Sequence, residues 1–308
     1  MSLTEAWRQV LASRLFDRLY GKIVILVAFV LCLVLITRIW TASYVDSDVV
    51  TTTWQIIPDN FADKKCKRWT AELKRIKACF QTELETQNAW TNLNTIAETC
   101  ALSVRHSFGK NAVNGLAPLS EPYWKKPCTV LSIGVNNDIS QELAIQSDYK
   151  NCRFIGTESE PALSKIYEQI GHLYPVKVTG PTGKSANGDV TLPQLLEEIG
   201  IQRVDYLLME ARGEEYKILP SLYGYGNDPS QTPPEICQLS VIFSCPLEGY
   251  GLNSTTFHRQ MLDFLSNSDF VPFLSRDATF LGCQKQVVFL NAKNSKCVAK
   301  FLRPFCEN

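Results

Sequence analysis

The stretch that decides the fold is CTVLSIGVNNDISQELAIQSDYKNCRFIGTE, residues 128–158. It predicts a short apolar strand at 129–133, a turn at Gly134, a helix of about ten residues and a second strand at 153–157 that ends on Glu158. In such a β-α-β unit, the turn glycine lets backbone N–H groups approach a polar ligand. An acid after the second strand can accept hydrogen bonds from ribose hydroxyls. The unit therefore predicts a nucleoside-bearing cofactor, although one glycine stands where two or three are usual.

Strands and helices keep alternating after this unit. Further strands are predicted at 176–178, 204–209, 238–243 and 286–290, and further helices at 162–170, 192–199, 214–222 and 256–266. Alternation of this length predicts an α/β fold with a doubly wound, mostly parallel sheet. In such sheets, ligands bind at the carboxyl ends of the strands.

The amino-terminal region predicts a membrane anchor. Residues 23–36 are apolar without interruption, and the stretch extends to Trp40 if Thr37 and Arg38 are tolerated. Residues 23–40 would form about 27 Å of helix, which is enough to cross a thin bilayer. The basic residues that precede this segment are Arg8, Arg14, Arg18 and Lys22. The positive-inside rule therefore predicts a single-pass type II protein, with residues 1–22 in the cytosol and the remainder in the lumen of the endoplasmic reticulum or Golgi.

A cleaved signal peptide is the alternative, since Thr41-Ala42-Ser43 has the small residues of a cleavage site. Both alternatives deliver the remaining chain to the secretory lumen. Residues 41–62 are predicted to be a polar stem, residues 63–127 a helical segment that packs on the core, and residues 128–303 the main domain.

The cysteines and one sequon agree with a lumenal domain. All of the 11 cysteines except Cys32 follow the apolar segment, and an even number fits disulfide bonds whose connectivity the sequence leaves open. Asn253-Ser254-Thr255 is a sequon for N-glycosylation. Because no cysteines have C-x2-C spacing and only 3 histidines occur, no metal site is expected. The net charge of +0 predicts no nucleic-acid partner.

The run VDYLLMEARGEEYKIL, residues 204–219, resembles the strand-to-helix signature of the FkbM-type methyltransferases, roughly D-x-L-K-x-D-x-E-G-x-E-x-x-x-L. The residues in register with that signature are Asp205, Gly213, Glu215, Tyr216 and Leu219. Residues 122–134, 152–158 and 237–243 are similar to a metazoan, nematode-like branch with a membrane anchor and a helical preamble. The resemblance extends over residues 120–303.

This resemblance implies a class I fold that uses S-adenosylmethionine, and O-methylation of a hydroxyl on a glycan or another small lumenal acceptor. It implies that Gly134 with its neighbouring amides, Asn136 and Glu158 bind the cofactor. In-line methyl transfer needs positioning and a base for the hydroxyl proton. Glu210 and Glu215 are the candidate bases near the transferred methyl group.

The chain departs from the family pattern at several positions. Glu210 stands where the family has Asp, and Arg212 where it usually has Glu. Ile242 and Ser244 occupy positions where an acid and a histidine are expected. A catalytically silent binding or scaffold protein with the same fold therefore stays open as an alternative. A lumenal glycosyltransferase is a second alternative, which rests on the membrane topology alone.

Overall fold

The computed structural model describes residues 67–86, 88–108, 116–119, 123–160, 162, 164–181, 188–223, 234–246, 253–278 and 283–302. All of them belong to one compact unit, Pro58–Asn308. The predicted cytosolic tail, membrane anchor and stem, residues 1–62, lie outside the described residues. Within the described ranges, no helix has both the length and the apolar character that a membrane span requires.

Strands and helices alternate over much of the described chain, as the sequence predicts. The helices are α1 (Lys67–Thr86), α2 (Ala89–Phe108), α3 (Ser140–Asp148), α4 (Leu192–Glu198), α5 (Glu215–Ile218), α6 (Ser254–Asn267) and α7 (Ser295–Phe301). The strands are β1 (Cys128–Ile133), β2 (Cys152–Thr157), β3 (His172–Tyr174), β4 (Val178–Thr179), β5 (Val190–Thr191), β6 (Arg203–Met209), β7 (Glu235–Phe243), β8 (Phe270–Asp277) and β9 (Lys285–Asn291). Short 3-10 turns occupy Tyr123–Lys125, Lys165–Gln169 and Leu219–Leu222.

The main sheet has seven strands in the order β3-β2-β1-β6-β7-β9-β8. Strands β3, β2, β1, β6 and β7 are parallel to their neighbours, whereas β9 runs antiparallel to both β7 and β8. Counted within this sheet alone, the order is 3-2-1-4-5-7-6, which is that of the class I methyltransferase fold. The strand order reverses between β1 and β6, so the crevice for a ligand is expected above their carboxyl ends.

The central strands are buried because helices or loops cover both faces of the sheet. Every residue of β6 after Arg203 is buried, which explains why its sequence is a continuous apolar run rather than an alternating one. Asp205 is a polar exception. It accepts a hydrogen bond from the backbone N–H of Thr129 and pairs with the buried Lys300. These contacts satisfy the buried carboxylate and join β6 to β1 and α7.

Helices α1 and α2 pack on α6 and β8. The Trp90 ring lies edge-on against Phe257, with their centroids 4.9 Å apart. Ser275 on β8 donates a 2.7 Å hydrogen bond to the Asn94 side chain on α2. The helical segment thus shares one apolar core with the sheet.

Disulfide bonds join elements that are distant in sequence, as the cysteine content predicts. The pairs are Cys79–Cys100, Cys128–Cys152, Cys237–Cys297 and Cys245–Cys283. They connect α1 to α2, β1 to β2, β7 to α7, and the segment after β7 to the segment before β9. Cys66 and Cys306 lie outside the described residues.

The region after β2 differs from the sequence prediction. The helix predicted at 162–170 is only a 3-10 turn at Lys165–Gln169, and the Tyr167 ring of this turn packs over Gly156. A Cβ at Gly156 would lie 2.7 Å from that ring. The strand predicted at 176–178 is also wrong in part. The sheet strand is β3, residues 172–174, whereas Val178 belongs to β4 in a separate two-stranded sheet with β5.

Candidate functional site

Two cavities open at the carboxyl ends of the parallel strands. Cavity A, about 240 Å³, lies between the segments that follow β1, β2, β3 and β6. Cavity B, about 370 Å³, lies over β1, β6 and β7 on the face of the sheet that α3 covers. Ile133, Gly134 and Glu210 line both cavities. Ligands in the two cavities would therefore meet at these three residues.

Gly134 follows β1 in a left-handed conformation, with φ of 75°. A Cβ at this position would lie 2.2 Å from the carbonyl oxygen of Glu210, so only glycine fits. The amides of Gly134 and Val135 both donate to the carbonyl oxygen of Thr157, at 3.0 and 3.1 Å. These amides were expected to face the cofactor. They instead extend the hydrogen bonding between β1 and β2. Gly134 therefore lets the loop after β1 lie close to the loop after β6, which contains Glu210.

Glu158 follows β2, as predicted, and its side chain lines cavity A with 5% of its surface exposed. Its Oε1 accepts hydrogen bonds from the Glu160 amide and the Ser159 hydroxyl, each at 3.1 Å. Arg212 Nη2 lies 3.8 Å from Glu158 Oε2. The carboxylate is thus fixed through one oxygen, while the other faces only this distant guanidinium among the described contacts.

Thr157, the last residue of β2, is a site residue that the sequence interpretation missed. It is 1% exposed and lines cavity A, yet among the described residues its Oγ1 has no hydrogen-bond partner. A buried hydroxyl without a partner costs about 1–3 kcal/mol. Rotation of the Thr157 side chain toward cavity A would let a bound ligand hydrogen-bond to Oγ1 and remove this cost. The sequence carried no signal for Thr157 beyond its position before Glu158.

Glu210 lies after β6 at the junction of the two cavities. Asn136 Nδ2 donates a 2.8 Å hydrogen bond to Glu210 Oε2, so these two predicted site residues are in direct contact. Burial raises the pKa of Glu210 above its usual range, against the opposing effect of the Asn136 hydrogen bond. A carboxylate with a raised pKa, facing a cavity, is suited to accept a proton from a ligand.

Glu215 lines neither cavity, in contrast to its predicted role as a base. It is 0% exposed, and its two oxygens accept hydrogen bonds from the amides of Gly213 at 2.7 Å and Ser244 at 2.6 Å. The carboxylate thereby joins the loop after β6 to the end of β7. This geometry gives Glu215 a structural role, because both of its oxygens are bonded inside the protein.

Glu214 and Lys177 line cavity A and form an ion pair. Glu214 accepts hydrogen bonds from Lys177, Lys217 and Thr179, each at 3.0 Å. Burial alone would raise the pKa of Glu214, but these three hydrogen bonds outweigh it and hold the pKa below its usual value. Glu214 is therefore an ionised wall residue that joins β4 to α5.

Cavity B has a polar lining that the sequence interpretation also missed. Ser132, Ser240 and Gln286 project from β1, β7 and β9, and Glu142 projects from α3. Ser132 donates a 2.7 Å hydrogen bond to Glu142 Oε1, and Gln286 Nε2 donates one of 2.7 Å to the Ser240 hydroxyl. The available signal was a serine within each of two mostly apolar strands. Their proximity depends on the sheet register, which places both opposite Leu208.

The strand order and the position of these cavities define a protein of the class I methyltransferase fold. No family model and no curated protein matches the chain. Among solved structures, the fibrillarin pre-rRNA processing protein of Methanococcus jannaschii is 12% identical and covers 61% of this chain and 76% of its own, with a TM-score of 0.38. Aeropyrum pernix fibrillarin in complex with S-adenosyl-L-methionine is 10% identical over 53% of this chain and 66% of its own, with a TM-score of 0.34. The plantazolicin methyltransferase BpumL is 10% identical over 74% of this chain and 98% of its own, with a TM-score of 0.31. The fold class therefore rests on the strand order of this chain's own sheet.

Proposed function

We propose that the chain is an S-adenosylmethionine-dependent methyltransferase of the FkbM type that methylates a hydroxyl on a glycan or another small acceptor. The observation that carries this proposal is the end of β2 in a sheet of class I order. There Thr157 and the buried Glu158 line the same cavity, and the Thr157 hydroxyl has no hydrogen-bond partner among the described residues.

The residues of cavity A fit the nucleoside half of S-adenosylmethionine. Glu158 would accept hydrogen bonds from the ribose hydroxyls. Rotation of the Thr157 side chain would bring its Oγ1, which has no partner among the described residues, within reach of the nucleoside. Val176 and Val178 form an apolar wall of cavity A that would contact the adenine ring. When bound, the cofactor supplies a methyl group that its sulfonium centre makes electrophilic.

The other requirement of the reaction is a base for the acceptor hydroxyl, and Glu210 meets it. Glu210 borders both cavities, so it can contact an acceptor in cavity B beside a cofactor in cavity A. Its raised pKa strengthens it as a base near neutral pH. The 2.8 Å hydrogen bond from Asn136 holds the carboxylate in place through Oε2.

Calorimetric titration of the full chain, purified in detergent, with S-adenosylmethionine tests the proposal. Glu158→Gln should weaken binding about 10- to 100-fold, because a hydrogen bond to a charged group contributes about 1.5–3 kcal/mol. The matched control is Glu168→Gln, an exposed acid in the 3-10 turn after β2, which should change the affinity less than about twofold. Absence of binding at millimolar S-adenosylmethionine would favour the catalytically silent alternative.

We further propose that the domain lies in the secretory lumen, anchored through residues 23–40. The four disulfide bonds support this location, because disulfides form and persist in oxidising compartments. Asn253 is exposed, and its Oδ1 accepts a 2.7 Å hydrogen bond from the Thr256 amide at the start of α6.

This hydrogen bond decides which variant tests the sequon. Asn253→Gln would also remove a helix cap, at about 1 kcal/mol, whereas Thr255→Ala removes only the sequon. When the two proteins are expressed in cells and compared by gel electrophoresis, untreated Thr255→Ala should migrate faster than the untreated wild type. After endoglycosidase treatment the two should migrate equally. Equal migration of the two untreated proteins would show that the sequon is not used.

A further inference from the structure

We infer that cavity B binds the acceptor through a positively charged group, so that the acceptor is a hydroxyl compound that also carries an amine. The inference rests on the proposed function, because it assigns the substrate class of that same site. It concerns the side chains of cavity B, whereas the proposed function depends mainly on cavity A.

The floor of cavity B is unusual for the inner face of a sheet. Ser132, Ser240 and Gln286 are buried on strands whose other buried residues are mostly apolar, Gln238 on β7 being an exception. Buried polar side chains weaken a core unless they find partners. Here Gln286 bonds both to Ser240, at 2.7 Å, and to Arg276 Nε, at 2.6 Å. The network keeps a cavity of about 370 Å³ lined with hydroxyl and carboxamide groups, which suit a polar ligand.

The charges around this cavity favour a cation. The charged residues that line it are Asp138, Glu142, Glu210, Asp277 and Arg276. Asp277 is already paired with Lys285. In the described part of the chain, no ion pair joins any of the other three carboxylates to a basic side chain. Three carboxylates against one guanidinium leave the cavity acidic, so a cationic ligand is attracted and an anionic one repelled.

The three carboxylates are also close enough to affect one another. Burial raises the pKa of Glu142, which is 7% exposed, and the charge of Asp138 adds to this effect. Burial likewise raises the pKa of Glu210. The charges of Asp138 and Glu142 add to this effect, whereas the Asn136 hydrogen bond and the charge of Arg212 oppose it. An ammonium group placed among them would relieve this mutual repulsion. A neutral hydroxyl ligand would gain only the hydrogen bonds.

Three sugars of similar size and different charge test the inference: glucosamine, glucose and glucuronate. Each is titrated calorimetrically into the full chain, with and without saturating S-adenosylhomocysteine. Glucosamine should bind at least about tenfold more tightly than glucose, which corresponds to about 1.4 kcal/mol, and glucuronate should bind more weakly than either. Glu142→Gln keeps an oxygen for the Ser132 hydroxyl but removes the charge, so it should reduce the preference for glucosamine to within about threefold.

The matched control is Glu198→Gln, an exposed acid on α4, which should leave the preference unchanged. If Glu142→Gln does not fold, Asp138→Asn replaces it, because asparagine keeps the oxygen that accepts the Ser140 amide. Glucuronate binding as tight as that of glucosamine, or an unchanged preference in the folded variants, overturns the inference. The inference is also overturned if the chain binds S-adenosylmethionine but shows no binding of glucosamine at about 10 mM. A dissociation constant of about 10 mM corresponds to a binding free energy of about 2.7 kcal/mol. Loss of S-adenosylmethionine binding alone overturns only the proposed function.

Discussion

Replacement of Glu215 by Gln separates a structural carboxylate from a catalytic one. The two oxygens of Glu215 accept the amides of Gly213 at 2.7 Å and Ser244 at 2.6 Å in a fully buried position. Glutamine retains one oxygen and presents an NH2 group where the other oxygen was. One backbone N–H then faces a donor and cannot reach water. The folded state loses a hydrogen bond to a charged group and gains a buried, unpaired amide.

The expected cost is about 2–4 kcal/mol of unfolding free energy, since a hydrogen bond to a charged group contributes about 1.5–3 kcal/mol and an unpaired buried donor adds to the loss. In a domain of more than 200 residues, each kcal/mol changes the melting temperature by about 2–4 °C. Glu215→Gln should therefore melt about 5–15 °C below the wild type.

Thermal unfolding of the full chain, followed by circular dichroism with the disulfides intact, measures this difference. Glu198→Gln is the matched control and should stay within about 0.5 kcal/mol of the wild type. At a temperature where Glu215→Gln is folded, it should bind S-adenosylmethionine with wild-type affinity. A variant that melts with the wild type and has lost methyl transfer would refute the structural assignment and restore Glu215 as a base.

Four further outcomes follow from the site. Glu210→Gln should keep S-adenosylmethionine binding but slow the transfer of a labelled methyl group about 10²- to 10⁴-fold, the usual contribution of a general base. Thr157→Val should raise the melting temperature of the ligand-free chain and weaken S-adenosylmethionine binding, because it removes a buried hydroxyl that has no partner in the described part of the chain and that we propose bonds the ligand. Burial raises the pKa of the Glu142 carboxyl above its usual value of 4.5, so the folded state favours the protonated carboxyl. This stabilisation of the folded state is fully present below pH 4.5 and is lost as the pH rises through the raised pKa. Urea unfolding at successive pH values should show this loss in the wild type and not in Glu142→Gln. Arg212→Gly should change the calorimetric affinity for S-adenosylmethionine less than about fivefold, since an exposed ion pair contributes at most about 1 kcal/mol.

The features that the sequence predicted well are local ones. The β-α-β unit and the acid after its second strand depend on the pattern of about 30 consecutive residues, and Glu158 lies where that pattern predicts. Strand β6 was equally clear, because a continuous apolar run is typical of a strand buried on both faces. Strand β8 was missed because Pro272 argues against a strand. It is an edge strand with an irregular register at Pro272, which is where proline is tolerated.

The features that the sequence did not predict depend on contacts between distant segments. The role of Glu215 follows from the Ser244 amide, 29 positions away. The polar floor of cavity B exists because the register of β1, β6 and β7 aligns Ser132 with Ser240. Neither pairing has a signature in the local sequence, because motif spacing carries no information about strand register.

Arg212 was one of the departures that together kept a silent protein open, because it places a positive charge where the family usually has an acid. The structure allows this effect to be weighed. Arg212 Nη2 is 3.8 Å from Glu158 Oε2 and its side chain is 56% exposed, so the pair contributes at most about 1 kcal/mol. Each ribose hydroxyl that bonds the same carboxylate would contribute about 1.5–3 kcal/mol. A nucleoside bound to Glu158 as proposed would therefore outcompete the arginine, so Arg212 alone does not favour a silent protein.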